Sequence, residues 1–439
     1  MLLQPPSGNP PPGDLTPHLN FPHMRSLEVQ WVKQENEEFL HLRDPLGLTP
    51  GEVLVPGYLA PFLMLCDGEH NLATIRAALA LYRGMELSAD DLERLVQDLD
   101  EAIVLEGPKA QEAERKALAA YHLSPFRQPA LADAAYPGDP TMLDQLLSAF
   151  CERYPTPQGA GGDASAPVVG ILSPHIDYNR GHKVYAESWQ AIAPALAECE
   201  QVIIFGTDHV GGPGKVTLTR QQYATPWGAL QADRQLLSEL TQALGEGDAL
   251  EEELHHAKEH SIELAAVWLH YMLRRVKGKD SSFRSMPTVT PILCGNMFPY
   301  VRGDQDPGWD PTFTRMLEVL RRSTEQKRTL VVAAGDLAHV GPVFGDEQGW
   351  DLAARAKLRS ADDASLDAMC RGDAQGFYQG LKAEQDGRRV CGITPIYLAM
   401  RLLGTDITGH RIGYDQCPAD QEGASVVSIA GVVWRRKGP

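Results

Sequence analysis

The sequence contains no run of 18 apolar residues, which excludes a membrane-spanning helix of ordinary length. It also lacks any long Lys/Arg run: 40 Lys and Arg stand against 58 Asp and Glu, for a formal net charge of −18. A chain this acidic is poorly suited to bind nucleic acid or an anionic lipid surface, so we expect neither as a partner. The opening residues carry no basic region and no long apolar region, and they do not indicate a secretory signal.

Cysteine is sparse as well, and the seven cysteines are spread singly along the chain without a C-x-x-C pair. This pattern predicts neither a disulfide framework nor a closed structural zinc site. The sequence also contains no G-x-x-x-x-G-K-[ST] phosphate-binding loop and no G-x-S-x-G nucleophile motif. We therefore expect a cytoplasmic protein whose thiols are reduced and available for chemistry.

Changes in composition along the 439 residues indicate four segments. Residues 1–26 are rich in proline, which predicts a disordered arm. Residues 27–108 combine two strand patterns with two helical patterns, the second of which begins at a capping Ser88. They predict a small helical or winged-helix-like domain that interacts with a partner such as a peptide. Residues 109–135 are typical of a helical linker, and residues 136–439 form a larger unit.

The larger unit alternates apolar runs with helical patterns. This is typical of an α/β domain with a central, mostly parallel sheet that is largely buried and flanked by helices. Segments such as Thr141–Arg153 and Ser261–Arg275 have the spacing of apolar residues expected for helices. The runs expected to form strands are Val168–Leu172, Val202–Phe205, Val289–Leu293, Leu330–Ala334 and Val426–Val433.

Polar side chains follow directly after several of these runs. A His and an Asp lie close together in sequence after three of them: His175 and Asp177, Asp208 and His209, and Asp336 and His339. Ligands of open α/β sheets bind beyond the carboxyl ends of the strands, so these side chains are expected to share one edge of the sheet. A single such His is more often a structural residue, but three favour a functional site. Histidines can bind a transition metal there, with carboxylates orienting the imidazoles.

Cys391 carries a thiol just before the start of a predicted helix. Cys391 lies in the segment RRVCGITPIYLAM, just before a predicted helix that starts near Pro395. A thiol near a helix N-terminus, with Arg388 and Arg389 close in sequence, is expected to have a lowered pKa and to ionise readily. The alternative is that Cys391 is a buried cysteine acting as a small apolar residue.

The segment HHAKEHSIELAAVWL is open to two interpretations. His256-Ala-Lys-Glu259-His260 matches H-x-x-E-H, in which two His at i and i+4 on one helix bind the zinc ion of a hydrolase. Such an enzyme also needs a third ligand from a later helix. In the other interpretation, Glu259 and His260 end a loop at the edge of the site, and Ser261 caps the helix that follows.

Eight short stretches of the larger unit occur in a specific order: AAYPGDPTML, SPHIDYNRGHKVYA, IIFGTDH, YATPWGALQAD, AKEHSIEL, PILCG, AAGDLAHVG and CGITPIYLAM. They span about residues 135–434. In this ordered set the larger unit resembles the Memo family, known in bacteria as AmmeMemoRadiSam system protein B. The resemblance implies the fold that Memo proteins share with class III extradiol ring-cleaving dioxygenases, and with it a non-haem metal site in a cleft.

Transferred motif by motif, the resemblance implies that His175, His209 and Cys391 are the metal ligands. Extradiol enzymes instead use two His and one carboxylate, the ligand set suited to Fe(II) and dioxygen. A thiolate in place of the carboxylate changes the reduction potential of the metal ion and favours softer metals. The cofactor expected is one transition-metal ion, Fe(II) in the first place, with Cu or Zn as alternatives.

The resemblance also assigns residues around the metal. It matches His339 with the pocket histidine that serves as acid or base in the dioxygenase relatives, and it places Asp336 and His260 in the same pocket as catalytic residues. We further expect four residues near these motifs to contact the substrate: Asp177, Tyr178, Asp208 and Glu259.

The chain departs from the family near two of the expected ligands. Memo proteins often read PHAGY where this chain has PHIDY, so Asp177 adds a carboxylate. Asp208 stands where many members have Ser, and Val210 stands where some have a second His. The added carboxylates are expected to make the pocket more anionic and to alter the choice of substrate.

Three functions are consistent with the sequence. The first is a metal-dependent, dioxygenase-like redox enzyme of an AmmeMemoRadiSam system, acting on a small molecule or a peptide. The second is a non-catalytic scaffold that binds a peptide or partner and works with a radical-SAM enzyme and an AMMECR-type protein. In favour of the second, LCDGEHNLATIRAAL is similar to the peptide-binding domains of radical-SAM maturation systems. The third is a zinc-dependent hydrolase that uses His256 and His260. The fold alone does not decide among them.

Overall fold

The computed structural model describes residues 16–34, 37–159, 162, 165–278 and 286–438. Contacts along the chain divide it into two compact units, Met1–Ser124 and Pro125–Pro439. No helix in the described ranges is both long enough and apolar enough to cross a bilayer.

The first unit contains a three-stranded antiparallel sheet and five helices among its described residues. Its elements are α1 (Pro17–Asn20), β1 (Glu28–Gln34), β2 (Glu37–Arg43), β3 (Val53–Pro56), α2 (Ala60–Met64), α3 (Leu72–Arg83), α4 (Ala89–Glu101) and α5 (Pro108–Leu123). The sheet has the strand order β1-β2-β3. The two strands and two helices predicted from sequence are present, and Ser88 caps α4 by accepting a hydrogen bond from the backbone N–H of Asp91.

The boundaries of the first unit differ from those expected. Residues 1–15 of the expected arm lie outside the described residues. Residues 16–26 are not disordered, because Arg25 is buried and pairs with Asp44 at 3.0 Å. The second unit begins at Pro125 rather than at 136, because the buried Arg127 side chain forms an ion pair with Glu263 inside that unit. The expected linker is therefore helix α5 followed by the first residues of the second unit.

The second unit is a mixed α/β domain. Its elements are α6 (Pro140–Arg153), β4 (Val168–Ser173), α7 (Tyr178–Ala191), α8 (Ala193–Leu196), β5 (Gln201–Thr207), β6 (Val216–Leu218), β7 (Tyr223–Thr225), β8 (Gly228–Leu230), α9 (Arg234–Leu244), α10 (Glu246–Leu250), α11 (Ser261–Lys277), β9 (Thr288–Cys294), α12 (Phe298–Val301), α13 (Pro311–Gln326), β10 (Thr329–Ala334), β11 (His339–Val340), α14 (Leu352–Arg371), α15 (Ala374–Ala383), α16 (Ile393–Leu403), β12 (Ile407–Pro418) and β13 (Val426–Arg436). All five apolar runs predicted to be strands are strands.

The central sheet has eight strands and is parallel in the middle. Strands β4, β10, β5 and β9 are neighbours in that order and run parallel, whereas β13, β6, β11 and β12 pair antiparallel at the sides. Ala334 lies opposite Ser173 and Gly206, so β4, β10 and β5 end at the same level. The loops that follow these three strands therefore leave the sheet side by side.

Helices cover both faces of the sheet, as the α/β pattern predicted. Side chains alternate along β10: Val331 and Ala333 belong to one apolar cluster, which includes α13 and α16. Leu330 and Val332 belong to a second cluster, which includes α7 and α11. With both faces packed, the strand ends are the part of the sheet left to carry polar side chains.

Candidate metal centre

Two histidines and a cysteine meet beyond the ends of the parallel strands. His175 follows β4, His209 follows β5, and Cys391 directly precedes Gly392, the N-cap of α16. The two imidazole ring centroids are 5.1 Å apart, and the Cys391 Sγ atom lies 3.1 Å from Nε2 of His175. One potential ligand atom from each of the three residues lies within 4.8 Å of the others. The structure thus brings together the three residues that the family resemblance implied.

Two glycines allow the cysteine to reach this position. A Cβ atom on Gly392 would lie 2.6 Å from the carbonyl oxygen of Asp336, and one on Gly335 would lie 2.6 Å from the Cα atom of Gly392. The backbone N–H of Gly392 donates to that same Asp336 carbonyl at 3.0 Å. The segments after β10 and before α16 therefore touch backbone to backbone, which only glycine permits at this separation.

His175 is held in one tautomer. Its Nδ1 lies 3.3 Å from the carbonyl oxygen of Ala334, which can only accept, so Nδ1 carries the hydrogen and the lone pair of Nε2 faces Cys391. The backbone N–H of His175 donates to Oδ1 of Asp336 at 2.8 Å. Burial, reinforced by the neighbouring imidazoles, keeps the pKa of His175 well below its usual value. A neutral imidazole with an available Nε2 is the form that binds a metal ion.

A carboxylate orients His209. The Nδ1 atom of His209 lies 3.0 Å from Oε2 of Glu259, and its backbone N–H donates to the same oxygen at 3.1 Å. Burial alone would lower the pKa of His209, but Glu259 and Cys391 raise it well above its usual value. With Nδ1 engaged by Glu259, Nε2 is the nitrogen that can face the cysteine. This pairing of carboxylate and imidazole is common around metal-binding histidines.

The position of Glu259 corrects two expectations. Its Oε1 atom accepts the backbone N–H groups of His260 and Ser261 at 2.7 and 2.9 Å, so Glu259 rather than Ser261 caps the start of α11. The Ser261 hydroxyl instead donates to the carbonyl of Thr207 at 2.8 Å. Although burial opposes ionisation, His209 and His260 hold the pKa of Glu259 well below its usual value. The expected substrate contact by Glu259 is wrong, because both of its oxygens are used to position histidines.

A third imidazole completes the cluster. The ring of His260 stacks on that of His209, with centroids 4.7 Å apart, and its centroid lies 5.2 Å from that of His175. Its Nδ1 atom is 3.1 Å from Oε1 of Glu259. His260 is partly exposed, so it lies where a group bound at the centre can reach it.

Asp336 and His339 follow β10 into the same region. The second carboxylate oxygen of Asp336 lies 3.8 Å from Nε2 of His175, and burial raises the pKa of Asp336 to about 6. Nδ1 of His339 lies 3.2 Å from the carbonyl of Leu337, and the ring edge packs against Phe344. Burial and the charge on His209 lower the pKa of His339 to about 4. His339 is therefore neutral at pH 7, with Nε2 able to accept a proton.

The expected substrate contact by Tyr178 is wrong. Tyr178 is fully buried, and its hydroxyl donates to the carbonyl of Leu264 at 2.7 Å. Its ring packs against those of Tyr136, Tyr185 and Trp268. Because Tyr178 is the first residue of α7, its side chain points into the core between α7 and α11.

The added carboxylates do not give the pocket two unpaired negative charges. Asp177 caps α7 and forms an ion pair with Arg180. Asp208 is buried, and its oxygens are engaged by Nδ1 of His255 at 2.9 Å and by the backbone N–H of Val210 at 3.2 Å. The expectation of a more anionic pocket did not take these neighbours into account. His255 itself was missed, because nothing in the sequence connects it to a strand end.

The interpretation of H-x-x-E-H as a zinc site on one helix is wrong. His256 lies in a short 3₁₀ segment, Glu253–Ala257, whereas His260 precedes α11, so the two do not share a helix. Both nitrogens of the fully buried His256 are used, with Nδ1 2.7 Å from the hydroxyl of Tyr223 and Nε2 3.0 Å from the carbonyl of Thr217. No lone pair of His256 is left for zinc, which removes the basis for the hydrolase.

The expected lowering of the Cys391 pKa is also wrong. Burial raises the pKa of this thiol, although His209 opposes the effect. The nearby arginines do not help, because Arg388 pairs with Asp362 and Arg389 pairs with Asp346. A cation in contact with the Cys391 sulfur would therefore be needed to favour its thiolate form.

The profile of the Memo-like protein family matches residues 127–433. A MEMO1 family protein of Aquifex aeolicus is 24% identical over 405 residues, which is 90% of this chain and 95% of that protein. One from Methanopyrus kandleri is 25% identical over 71% of this chain and 99% of its own length, and one from Methanosarcina mazei is 27% identical over 65% and 89%.

The extent of these matches differs between the two units. The match to the Aquifex protein covers 90% of this chain, whereas residues 125–439 make up a smaller share of it. That match therefore extends into the first unit. The Methanopyrus protein is matched over nearly its whole length by 71% of this chain. The second unit therefore carries most of what these proteins share.

Proposed function

Because the chain belongs to the Memo-like protein family, we propose that its second unit holds one transition-metal ion on His175, His209 and Cys391 and uses it in redox chemistry. The observation that carries the proposal is the convergence of two imidazoles and one thiol, from three distant parts of the sequence, at the ends of β4 and β5 and the start of α16. A site of this kind in a dioxygenase-like fold favours an oxidoreductase.

The arrangement fits a metal ion by two criteria, a distance and the orientation of the imidazoles. Metal bonds of about 2.3 Å to sulfur and about 2.1 Å to nitrogen place the two atoms about 3.1 to 3.6 Å apart for angles between about 90° and 109°. The distance from Cys391 Sγ to His175 Nε2 is 3.1 Å. The tautomer of His175 and the orientation of His209 are both set by hydrogen bonds at Nδ1, which leave Nε2 for the ion. All seven cysteines are unpaired, in keeping with the reducing cytoplasm that we propose for this protein.

The metal we propose is Fe(II), with Cu or Zn as the alternatives that the thiolate admits. Of these, Fe and Cu support the proposed redox chemistry, whereas a site filled by Zn, which is not redox-active, would contradict that part of the proposal. A redox-active ion held by His175, His209 and Cys391 would supply one-electron chemistry at the strand ends. We propose a small molecule or a peptide as the substrate.

The surrounding residues would manage protons and orientation. His339, neutral at pH 7 and donating through Nδ1 to Leu337, would accept a hydrogen bond at Nε2 from a substrate hydroxyl. Its pKa of about 4 makes it a weak base, so orienting the hydroxyl is its first role and full proton transfer its second. Glu259 holds His209 and His260 through its two oxygens. Asp336 binds the backbone N–H of His175 and so fixes the loop that carries the first ligand.

The experiment is metal analysis of protein purified without oxygen. We expect close to one transition-metal ion per chain at the candidate centre, and loss of that ion in Cys391→Ala and in His209→Ala. Cys199→Ala is the control, because Cys199 is buried away from the centre just before β5, where its thiol contacts the carbonyl of Gln201. Full metal content in both ligand variants would contradict the proposal.

A second function rests on an observation in the first unit. Strand β1 is an edge of its sheet, and two large apolar side chains on it, Val29 and Trp31, are 54% and 57% exposed. Exposed edge strands can pair with an extended peptide through their backbone groups. We propose that this edge binds a peptide, such as the substrate of a radical-SAM enzyme or a segment of an AMMECR-type partner.

Peptide binding can be tested in the full-length chain. Trp31→Ser should weaken capture of a radical-SAM or AMMECR-type partner, whereas Tyr82→Ser, which changes another exposed aromatic residue of the same unit, should not. Equal capture by both variants would exclude β1 as the binding edge. Capture that survives loss of all three ligand side chains would separate this function from the metal centre.

A further inference from the structure

A second group of potential metal ligands lies beside the first. Asp208, Glu252 and His255 each offer one ligand atom, and these atoms lie within 4.8 Å of one another. Asp208 directly follows β5, whereas Glu252 directly precedes the 3₁₀ segment Glu253–Ala257 and His255 lies within it. None of the three belongs to the set of His175, His209 and Cys391.

The distances within this group suit a divalent ion. Nδ1 of His255 is 2.9 Å from Oδ2 of Asp208, close to the separation of about 3 Å that two ligands with bonds of about 2.1 Å have at right angles. Oε2 of Glu252 lies 3.9 Å from the same Nδ1, within reach of a small rotation of a half-buried side chain. Among the described residues, the two oxygens of Glu252 accept weak hydrogen bonds at 3.4 Å from the backbone N–H of Gly212 and the hydroxyl of Thr217.

The two carboxylates share one basic partner, His255, which even when protonated supplies a single positive charge against two negative ones. Among the described residues, neither Asp208 nor Glu252 forms an ion pair with a Lys or an Arg, and the nearby Lys215 pairs with Glu251 at 2.5 Å. Asp208 is 3% exposed, so water does little to stabilise its charge. Two carboxylates that face one imidazole in this setting would be stabilised by a cation.

We propose that Asp208, Glu252 and His255 form a second divalent-metal site. Two carboxylate oxygens and one imidazole nitrogen are harder ligands than two imidazoles and a thiolate, so the site is suited to Mn²⁺ or Zn²⁺. The two sites share no ligand, and the chain can hold two ions at once. This inference stands independently of the proposed function, because it uses none of the residues of the first centre.

The test uses Co²⁺ as the probe, added in steps to metal-free full-length protein under anaerobic conditions. Co²⁺ bound to a thiolate gives a near-ultraviolet charge-transfer band, whereas Co²⁺ on oxygen and nitrogen ligands does not. We expect two equivalents to bind, only one of which produces the thiolate band. Glu252→Gln and His255→Ala should each lose one equivalent and keep the band, whereas Cys391→Ala should lose the band and keep one equivalent.

The controls separate the two proposals. His70→Ala removes a surface His whose Nδ1 lies 2.8 Å from Asp67, and this pair belongs to no group of three ligands among the described residues, so both equivalents should remain. Glu252 is only half-buried, and circular dichroism of Glu252→Gln checks its fold. A single equivalent with the thiolate band, or two equivalents in folded Glu252→Gln, would overturn the second site. A single equivalent without the band, lost in Glu252→Gln, would support the second site and contradict the first.

Discussion

The Sγ atom of Cys391 lies 3.1 Å from Nε2 of His175, although the two residues are 216 positions apart in the chain. This contact depends on the backbone approach of Gly392 to Asp336, because a side chain at position 392 would collide with the Asp336 carbonyl. The geometry of the proposed metal centre is therefore set by glycine as much as by the ligands themselves.

Replacing Gly392 tests that dependence. Gly392→Ala places a Cβ atom 2.6 Å from the Asp336 oxygen, so we expect the free energy of unfolding to fall by about 1–3 kcal/mol and the metal content to drop. Gly380→Ala is the matched control, because Gly380 lies in α15 with no atom within 4 Å of an added Cβ, and alanine there should be neutral or stabilising. Thermal unfolding and metal analysis of both variants check this. Wild-type metal content in Gly392→Ala would show that the close approach is not needed.

Glu259→Gln should weaken metal binding without removing a ligand. The variant removes the negative charge that faces Nδ1 of His209, and loss of such an orienting group typically costs about 10–100-fold in affinity. Competition with a chromogenic chelator measures the change. Glu187→Gln, at another buried carboxylate on α7, serves as the control. An unchanged affinity in Glu259→Gln would mean that His209 is oriented by other groups or does not bind the ion.

Tyr178 should contribute to the stability of the fold and not to metal binding. Tyr178→Phe removes the buried hydrogen bond to Leu264 and is expected to cost about 1 kcal/mol of unfolding free energy. Denaturant unfolding measures the cost, and metal analysis should give the wild-type ratio. A loss of metal in a variant of wild-type stability would restore Tyr178 to the site.

His256 should make stability depend on pH. Burial lowers the pKa of His256 from 6.5 to about 3, so between these values the unfolded chain binds the proton and the folded chain does not. Stability is therefore expected to fall as the pH decreases from 6.5 towards 3, by about 1.4 kcal/mol per pH unit from this residue alone. His256→Gln should show a shallower decline than the wild type in denaturant unfolding between pH 7 and pH 4. Parallel curves for the two proteins would contradict this.

Much of the fold could be predicted from local patterns. Apolar runs such as Val202–Phe205 are strands, and the His and Asp residues after them share one edge of the sheet, because the carboxyl ends of parallel strands meet there. The approach of Cys391 could not be derived in this way. It depends on a backbone contact between segments far apart in sequence, and only the family resemblance indicated it.

Side-chain directions were the harder part of the prediction. Tyr178 was expected at the substrate because it follows His175 closely, but capping by Asp177 starts a helix there and turns the ring into the core. His256 matched a zinc motif, yet the chain is not helical between it and His260. Short motifs give residue types and spacing, whereas the start of a helix decides which way a side chain points.

The most direct test of the metal centre is X-ray absorption spectroscopy of anaerobically purified protein, at the edge of the metal that it carries. The proposed ligands predict one sulfur neighbour at about 2.3 Å together with nitrogen neighbours at about 2.0–2.1 Å. The sulfur signal should disappear in Cys391→Ala and persist in Cys199→Ala. The absence of a sulfur neighbour around every metal in the sample, or a sulfur signal that survives in Cys391→Ala, would contradict the account.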